Sequence, residues 1–497
     1  MTEITPQDKH NSELLALVRP QDWVNPTPRG RYNLVAVGGG TAGLVCAAGT
    51  AILGGRAALI ERNLLGGDCL VTGCVPSKAL IRSARAASDV ARAGEWGVRV
   101  TAADVDFAAV MERVRELRAA IGHHDSARRF SELGVDIYFG DARFTGRDRV
   151  EVNGQTLRFA RGVVATGGRA SIPPIPGLEE AGYLTHESVF NLTERPDRLL
   201  IIGGGPIGIE LAQSFARLGS RVVVVEMMDR FLGDEDPDAV DVLRRSLDRD
   251  GVDIRLATQV LRVDGTRVTL RSDAGAETVE TDTILVGAGR TPNVEGLGLA
   301  AAGVEFTNHG VSVDDRLRTS NKRIYAAGDV ALRFKFTHTA DAAARIILQN
   351  ALFPGRARLS ALTVPWCTYT SPEIAHVGMY EKDARERGIE VDTFRVGFED
   401  LDRAIVDGET EGFVKLHVKR GSDRIVGGTI VAEHAGEMIG EITLAIVAGI
   451  GLGTLSKVIH PYPTQAEAIR KAADEWKRAK LTPTVAGLLR RWLAWRR

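Results

Sequence analysis

A chain of 497 residues with a formal net charge of −1 has room for about three domains with separate cores, and its charge balance excludes a global attraction to nucleic acid. Hydrophobic residues at 44% and charged residues at 26% are ordinary for a soluble enzyme. Its four cysteines, Cys46, Cys69, Cys74 and Cys367, are too sparse for a disulfide scaffold; they suit a reducing compartment, where a close pair is more readily catalytic than structural.

Residues 1–30 are polar, carry Pro6, Pro20, Pro26 and Pro28, and read as an N-terminal extension packed loosely on the rest. Met1 to Pro20 lacks the apolar core of a secretory signal, so a cytoplasmic location is expected. Tyr32 to Val37 has the pattern of a buried strand and runs into Gly38-Gly39-Gly40-Thr41-Ala42-Gly43, which opens an Ala-rich helix. GxGxxG between strand and helix is the dinucleotide-binding arrangement. Gly38, Gly40 and Gly43, with Thr41 and Ala42 at the helix start, let backbone amides approach a pyrophosphate. The next strand, Ala57 to Ile60, ends in Glu61, placed to hold a ribose hydroxyl. The unit then recurs: Leu199 to Ile202 leads into Gly203, Gly205 and Gly208, and Val222 to Val225 ends in Glu226. The spacing from Gly38 to Glu61 equals that from Gly203 to Glu226, so two dinucleotide folds are expected, as in an enzyme passing electrons between two nucleotides. The longest apolar run, Ile442 to Leu455, is too short to span a bilayer and reads as a buried helix with its following turn.

Between the two units lies Gly66-Gly67-Asp68-Cys69-Leu70-Val71-Thr72-Gly73-Cys74-Val75-Pro76-Ser77-Lys78. On an ideal helix, positions five apart are roughly 8 Å apart, whereas a disulfide needs Cα atoms within about 7 Å. Cys69 and Cys74 can therefore bridge only across a distorted turn, which Gly73 permits, and a strained bridge is easily reduced. The plainer reading is a pair of small buried hydrophobes.

The pattern G-G-x-C-x-x-x-G-C-V-P-S-K resembles the redox-active segment of the flavoprotein disulfide reductases, the family of dihydrolipoamide dehydrogenase, glutathione reductase and mercuric reductase. The resemblance covers about residues 31 to 477. It implies an α/β fold with two Rossmann-like domains and a C-terminal α+β dimerisation domain. FAD would be held by 31–190 and 290–360, NAD(P) by 191–289, and residues 361–476 would pair two subunits in a homodimer. Further segments resemble the family's cofactor turns: Val163 to Gly168, Ile284 to Asn293 and Ile324 to Asp329. They add Gly67, Asp68, Thr166, Gly167, Gly289 and Asp329 to the cofactor-binding positions. Asp68 stands where the family usually has Thr and sets a negative charge beside a thiol that must ionise. Tyr369 to Gly378 resembles the first interface strand, and Cys367 and Cys46 read as core cysteines.

The resemblance also implies an electron path from nicotinamide to flavin to Cys69–Cys74 and on to substrate. Cys74 would meet the flavin and Cys69 would exchange with the acceptor. Lys78 and Glu210 would form an ion pair beside the flavin. Reductases of disulfides proper carry His-Pro-Thr with a Glu five residues after the His. Aligned on Pro-Thr and Glu467, the His position here holds Tyr462, with His460 two residues earlier. A tyrosine of pKa about 10, against about 6.5 for His, is a poor proton shuttle at neutral pH. Mercuric reductase also carries Tyr there, but its C-terminal cysteine pair has no counterpart after Cys367. The expected activity is thus FAD-dependent NAD(P)H oxidation delivering electrons to a small-molecule thiol, disulfide or metal-ion acceptor, with no resident metal. Dihydrolipoamide dehydrogenase and a membrane-surface quinone reductase are the alternatives. Glu226 favours NADH over NADPH, because a carboxylate repels a 2′-phosphate.

Finally, Lys477 to Arg497 carries seven Lys or Arg and no acid. After Pro483, Val485, Leu488, Leu489, Trp492 and Trp495 fall on one face at helical spacing, with Arg490, Arg491 and Arg497 elsewhere. Such a tail suits peripheral contact with the inner face of an anionic membrane; packing on the protein's own body explains the apolar stripe equally.

Overall fold

Strands buried on both faces form parallel sheets covered by helices, and the apolar runs of the first half do so in the computed structural model, which describes residues 3–101 and 104–497. Strand β1 (Arg31–Val37) lies parallel to β2 (Ala57–Glu61) and to β6 (Gln155–Val164). β3 (Val135–Phe139) pairs parallel with β2. The antiparallel β4 (Ala142–Gly146) and β5 (Arg149–Val152) extend the far edge, in the order β3-β2-β1-β6-β5-β4. β11 (Ile324–Ala326) returns from much later in the chain to lie parallel to β6. The second repeat builds its own parallel sheet from β7 (Arg198–Ile202), β8 (Arg221–Val225), β9 (Asp253–Arg255) and β10 (Thr283–Val286), in the order β9-β8-β7-β10.

Both sheets carry a helix directly after their first strand, α2 (Thr41–Ile52) and α6 (Pro206–Arg217). The two Gly turns are built alike. Gly38 has φ +110° and a Cβ there would lie 2.2 Å from the Ala165 carbonyl oxygen; Gly203 has φ +113° and a Cβ there would lie 2.6 Å from that of Gly287. Each turn is thus pressed against the neighbouring strand exit, and a side chain is excluded at both. Helix α7 (Thr337–Leu352) packs on α2. Cys46 is wholly buried between them, its Sγ 3.8 Å from the Ala344 carbonyl oxygen. Burial pushes its thiol up, so Cys46 is core, as expected from sequence.

The loose packing expected for the N-terminal extension is not found. Helix α1 (Lys9–Val18) is capped by Asp8 and packs on α5 (Phe107–Gly122), with Leu14 and Val18 0% exposed. Arg115 pairs with Asp8, and Arg118 donates to Asn11 Oδ1 at 2.6 Å and to the Val71 carbonyl at 2.8 Å. Trp23 and Asn25 bond to the backbone of β3 at Ile137 and Phe139. Polar composition concealed an apolar face only a few residues wide.

The chain groups into two compact units, one running to Phe231 and resuming over Gly251–Leu362, the other made of Leu232–Asp250 and Thr363–Arg497. Residues 232–250, within the segment expected to hold nicotinamide nucleotide, therefore belong with the C-terminal unit. The helix Pro237–Arg249 and its approach are tied there by Lys415, which bonds Asp236 at 2.8 Å, and by Tyr380, which donates to Glu235 at 2.6 Å. That unit is an antiparallel sheet of β12 (Pro365–Thr368), β13 (Glu373–Gly378), β14 (Val391–Gly397), β15 (Phe413–Lys419) and β16 (Ile425–Ala432), in the order β12-β13-β16-β15-β14. Helices α8 (Ala435–Val447) and α9 (Glu467–Ala479) pack on it. α8 is only half-buried: Ile442 and Ala445 enter the core, but Leu444 and Val447 are exposed, which corrects the expectation of a buried helix. A final helix, α10 (Pro483–Trp495), follows. Among the described residues no helix is long and apolar enough to cross a membrane.

Candidate active site

The cysteine pair sits across a helix break. Cys69 lies in the short helix α3 (Gly67–Val71), and Cys74 is the first residue of the nineteen-residue α4 (Cys74–Arg92). Thr72 and Gly73 turn the chain between them. A Cβ at Gly73 would stand 2.8 Å from the Asp68 carbonyl oxygen, so glycine is what lets the two short segments close on each other. Both cysteines are free thiols, Cys69 half-buried and Cys74 exposed.

The two sulfurs are not equivalent. Cys69 donates a hydrogen bond to Cys74, which stabilises the Cys74 thiolate and holds its pKa below the ordinary thiol value. Burial opposes this; Thr337 and the Lys78 charge reinforce it, and Glu210 weakens it. Position adds to the effect, since the first residue of a long helix feels the positive end of its dipole. Cys69, the donor of that bond and partly desolvated, is pushed up. Thr337, the first residue of α7, places Oγ1 3.4 Å from Cys74 Sγ. It lies 263 residues away in sequence, and no motif pointed to it.

Lys78, in the second turn of α4, meets Glu210 on α6, with Nζ 2.9 Å from Oε2 and Glu210 buried. The packing of α4 on α6 thereby brings together two residues that sequence could link only through family resemblance.

The charge of Asp68 is answered from elsewhere in the same unit. Arg290 forms an ion pair with Asp68 and reaches Asp329 with Nε 3.0 Å from Oδ2. It also lies 2.8 Å from Nε2 of the buried His186 and donates to the Gly168 carbonyl at 3.2 Å. Burial would raise the Asp68 carboxyl, but His186 and Arg290 outweigh it and hold it below the usual range. A short ladder of Gly168–Ala170 against Arg290–Pro292 carries the guanidinium to this point. The feared bare charge beside Cys69 is therefore a compensated one. Arg290 was visible in sequence within Gly289-Arg290-Thr291-Pro292-Asn293, and an acid beside an expected phosphate site is itself a signal that a cation must be near.

The two nucleotide turns share one device. Glu61 accepts from the Gly39 amide and, at 2.6 Å, from that of Asn63. Glu226 accepts from the Gly204 amide at 2.7 Å and from that of Met228 at 2.9 Å. Each acid thus braces its own Gly turn from the end of the next strand. The residues fit a bound FAD. A Cβ at Gly40 would find only Gly67 Cα, at 4.0 Å, and one at Gly167 nothing within 4 Å, which leaves space beside the α2 N-terminus. Thr166 bridges to Asn293, and Asp329 uses only Oδ2 toward Arg290 among the described residues. Gly205 is open in the same way on the second turn, while Gly43 and Gly208 press back on Gly38 and Gly203. Gly289 has φ +105° and accepts at its carbonyl from the Ser171 amide at 3.0 Å.

His460, Tyr462 and Glu467 belong to the C-terminal unit, and each is engaged within it. His460 is half-buried with Nε2 3.1 Å from Glu441. Tyr462 is 73% exposed and donates to Asp402 at 2.8 Å; that bond raises its phenol pKa. Glu467 pairs with Arg470 one turn on.

Two dinucleotide folds around a paired dithiol define a nucleotide-dependent oxidoreductase. The comparisons give the family: residues 32–344 match the model of the pyridine nucleotide-disulphide oxidoreductases, and 364–473 match that family's dimerisation domain. The chain belongs to this family of FAD- and pyridine-nucleotide-dependent enzymes. It is 34% identical over 447 residues to a mercuric reductase of Bacillus cereus, covering 89% of this chain and 71% of that one. It is 33% identical over 467 residues to a dihydrolipoyl dehydrogenase of Bacillus subtilis, covering 89% and 97%. Among solved structures it resembles the HOCl-induced flavoprotein disulfide reductase RclA of Escherichia coli, with a TM-score of 0.80 at 28% identity over 89% of this chain and 99% of that one.

Proposed function

We propose that this enzyme oxidises NAD(P)H, NADH by preference, and passes the electrons through Cys69 and Cys74 to a disulfide or metal-ion acceptor, in the manner of the mercuric reductases. The observation that carries this reading is Cys74 at the start of α4, receiving hydrogen bonds from Cys69 and Thr337 with Lys78 nearby. The turns of Gly38, Gly40 and Gly167, with Asp329, would hold FAD, which would supply the two-electron relay between nicotinamide and the cysteine pair. The protein's own part is to hold Cys74 as thiolate and Cys69 as thiol. Lys78 sets a positive charge beside the sulfurs, which Glu210 partly offsets, and Arg290 masks Asp68.

Tyr462 bears on the acceptor. Its hydroxyl is committed to Asp402 and its pKa is raised, so it stays protonated at neutral pH and is ill suited to shuttle protons for dithiol–disulfide exchange. This favours a metal ion over lipoamide. We place His460, Tyr462 and Glu467 near the cysteine pair of a partner subunit in a homodimer. The exposed Leu444, Val447 and Ile459, the last 93% exposed beside His460, offer the apolar surface that such pairing covers.

The test is a side-by-side assay of lipoamide, Hg(II) and quinones with the purified holoenzyme, together with anaerobic thiol counting. NADH should expose two thiols in the oxidised protein, and Cys69→Ala should abolish the gain. Lipoamide turnover as fast as that of any other acceptor would overturn the choice of acceptor. A constant thiol count would overturn the redox role of the pair.

A further inference from the structure

Helix α10 has no buried residue. Its start is set by its own caps: the Thr482 hydroxyl accepts from the Val485 amide at 3.4 Å, and Pro483 occupies the first turn, where its missing amide hydrogen costs nothing. A thirteen-residue helix held only by caps is marginal in water, and its side chains indicate what completes it. Val485, Leu488, Leu489, Trp492, Leu493 and Trp495 are all exposed, from 40% for Val485 to 77% for Trp495. At about 100° per residue they form one continuous apolar arc. The rings of Trp492 and Trp495 lie 5.4 Å apart and form a single indole platform.

The charges around this arc decide its partner. Arg490 and Arg491 flank it on opposite sides, and Arg496 lies over the Trp492 ring at 5.9 Å. Nearer the body, Arg478 pairs with Glu475 at 2.6 Å and Lys480 stacks over Trp476 at 3.5 Å. Among the described residues no acid pairs with Arg490, Arg491, Arg496 or Arg497. A protein surface covering the arc would have to bring acids to four cations. An anionic bilayer supplies both needs, an acyl boundary for the leucines and indoles and phosphate charge for the arginines. The helix is about 20 Å long at ~1.5 Å per residue, short of the ~30 Å hydrocarbon core. It can lie in the interface but cannot span it.

We propose that α10 docks the enzyme on an anionic membrane surface, lying in the interface plane with Trp492 and Trp495 at headgroup depth. This goes beyond the reductase reading and does not depend on it. The test is co-sedimentation of the full-length holoenzyme with vesicles of phosphatidylcholine alone and with phosphatidylglycerol added. Two variants are compared: a chain ending at Lys480, and the double substitution Leu488→Glu with Trp492→Glu. None of the altered side chains is buried, so the fold is not at risk. The full chain should sediment with the anionic vesicles. Its binding should fall about tenfold or more on neutral vesicles, and likewise in about 1 M salt, where the Debye length is only ~3 Å. Both variants should stay in solution with unchanged NADH turnover and unchanged mass. Equal sedimentation of the full and shortened chains would overturn the proposal. So would a change in oligomeric mass on shortening in lipid-free buffer, which would assign the arc to a second copy of the chain. Equal binding to neutral vesicles would overturn its electrostatic half.

Discussion

Arg290 pairs with Asp68 across 222 residues of sequence, and the same guanidinium holds Asp329. One cation thus ties the residue before Cys69 to the acid expected at the flavin. Removing a partner from a buried pair costs ~3–5 kcal/mol; because Asp68 is part-exposed, solvent screening reduces this, and Arg290→Leu should cost about 1–3 kcal/mol at pH 7. The carboxyl of Asp68 is lowered in the folded protein, so its contribution is complete above the unfolded value of about 3.9 and is lost as pH falls through the folded value. The stability gap between wild type and Arg290→Leu should therefore narrow below about pH 4. Asp68→Thr, which leaves Arg290 with Asp329, should cost less. Thermal unfolding across pH reads both; a gap that is flat with pH would mean the pair is not formed.

The asymmetry of the two thiols predicts opposite effects from the two members of the Lys78–Glu210 pair. Alkylation of Cys74 by iodoacetamide, followed against pH, should show a midpoint below the ordinary thiol value of about 8.5. Lys78→Ala and Thr337→Ala should move that midpoint up, each by up to about one unit, whereas Glu210→Gln should move it down, because Glu210 opposes the thiolate. Cys69→Ala should move it up furthest, since it removes the hydrogen bond that most stabilises the thiolate. Thr337→Ser should retain the wild-type midpoint, which separates the hydroxyl from any packing role. Equal midpoints for the Lys78 and Glu210 variants would refute the electrostatic account.

The N-terminal segment carries a third expectation. Arg118 joins Asn11 to the Val71 carbonyl, two residues from Cys69, while Val18 accepts from the Leu65 amide at 3.2 Å. Helix α1 therefore braces the stretch that leads into the cysteine pair. Leu14→Ala, at a wholly buried site, should destabilise by ~2–5 kcal/mol. Asn11→Ala should leave the Arg118 guanidinium under-bonded and speed alkylation of Cys69 by loosening α3. Unfolding midpoints and alkylation rates unchanged in both variants would return residues 1–30 to the status of a loose extension.

What the sequence made legible, and what it did not, follows from the range of the interactions. Repeated Gly turns, strand runs and the Cys69–Cys74 spacing are local patterns, and both nucleotide folds and the helix break at Gly73 could be read from them. Thr337, His186 and Arg290 act on the cysteine segment only through tertiary packing, so no local period reports them. The extension misled for a related reason. Only Leu14, Val18 and a few neighbours are apolar, and their partners on α5 lie about a hundred residues on. Likewise α8 reads as uniformly apolar from Ile442 onward, but Leu444 and Val447 face outward, because apolar composition alone does not report which side of a helix meets the core.

The proposed preference for NADH turns on Glu226. Its carboxylate is fixed at the end of β8 by the Gly204 and Met228 amides, as Glu61 is fixed by those of Gly39 and Asn63. A fixed carboxylate accepts from a 2′-hydroxyl and repels a 2′-phosphate. Met227 and Met228 beside it are exposed and offer no compensating cation of their own. NADH should therefore exceed NADPH in kcat/KM by about tenfold or more, which corresponds to ~1.4 kcal/mol. Glu226→Gln drops the charge and keeps an acceptor oxygen for one of the two amides, so it should raise NADPH efficiency more than it lowers that of NADH. Glu61→Gln, on the other turn, should leave the ratio untouched and instead weaken FAD retention, read as flavin released on dilution. A wild-type ratio near one, or a ratio that shifts with Glu61 and not with Glu226, would show that the two turns had been assigned to the wrong nucleotides.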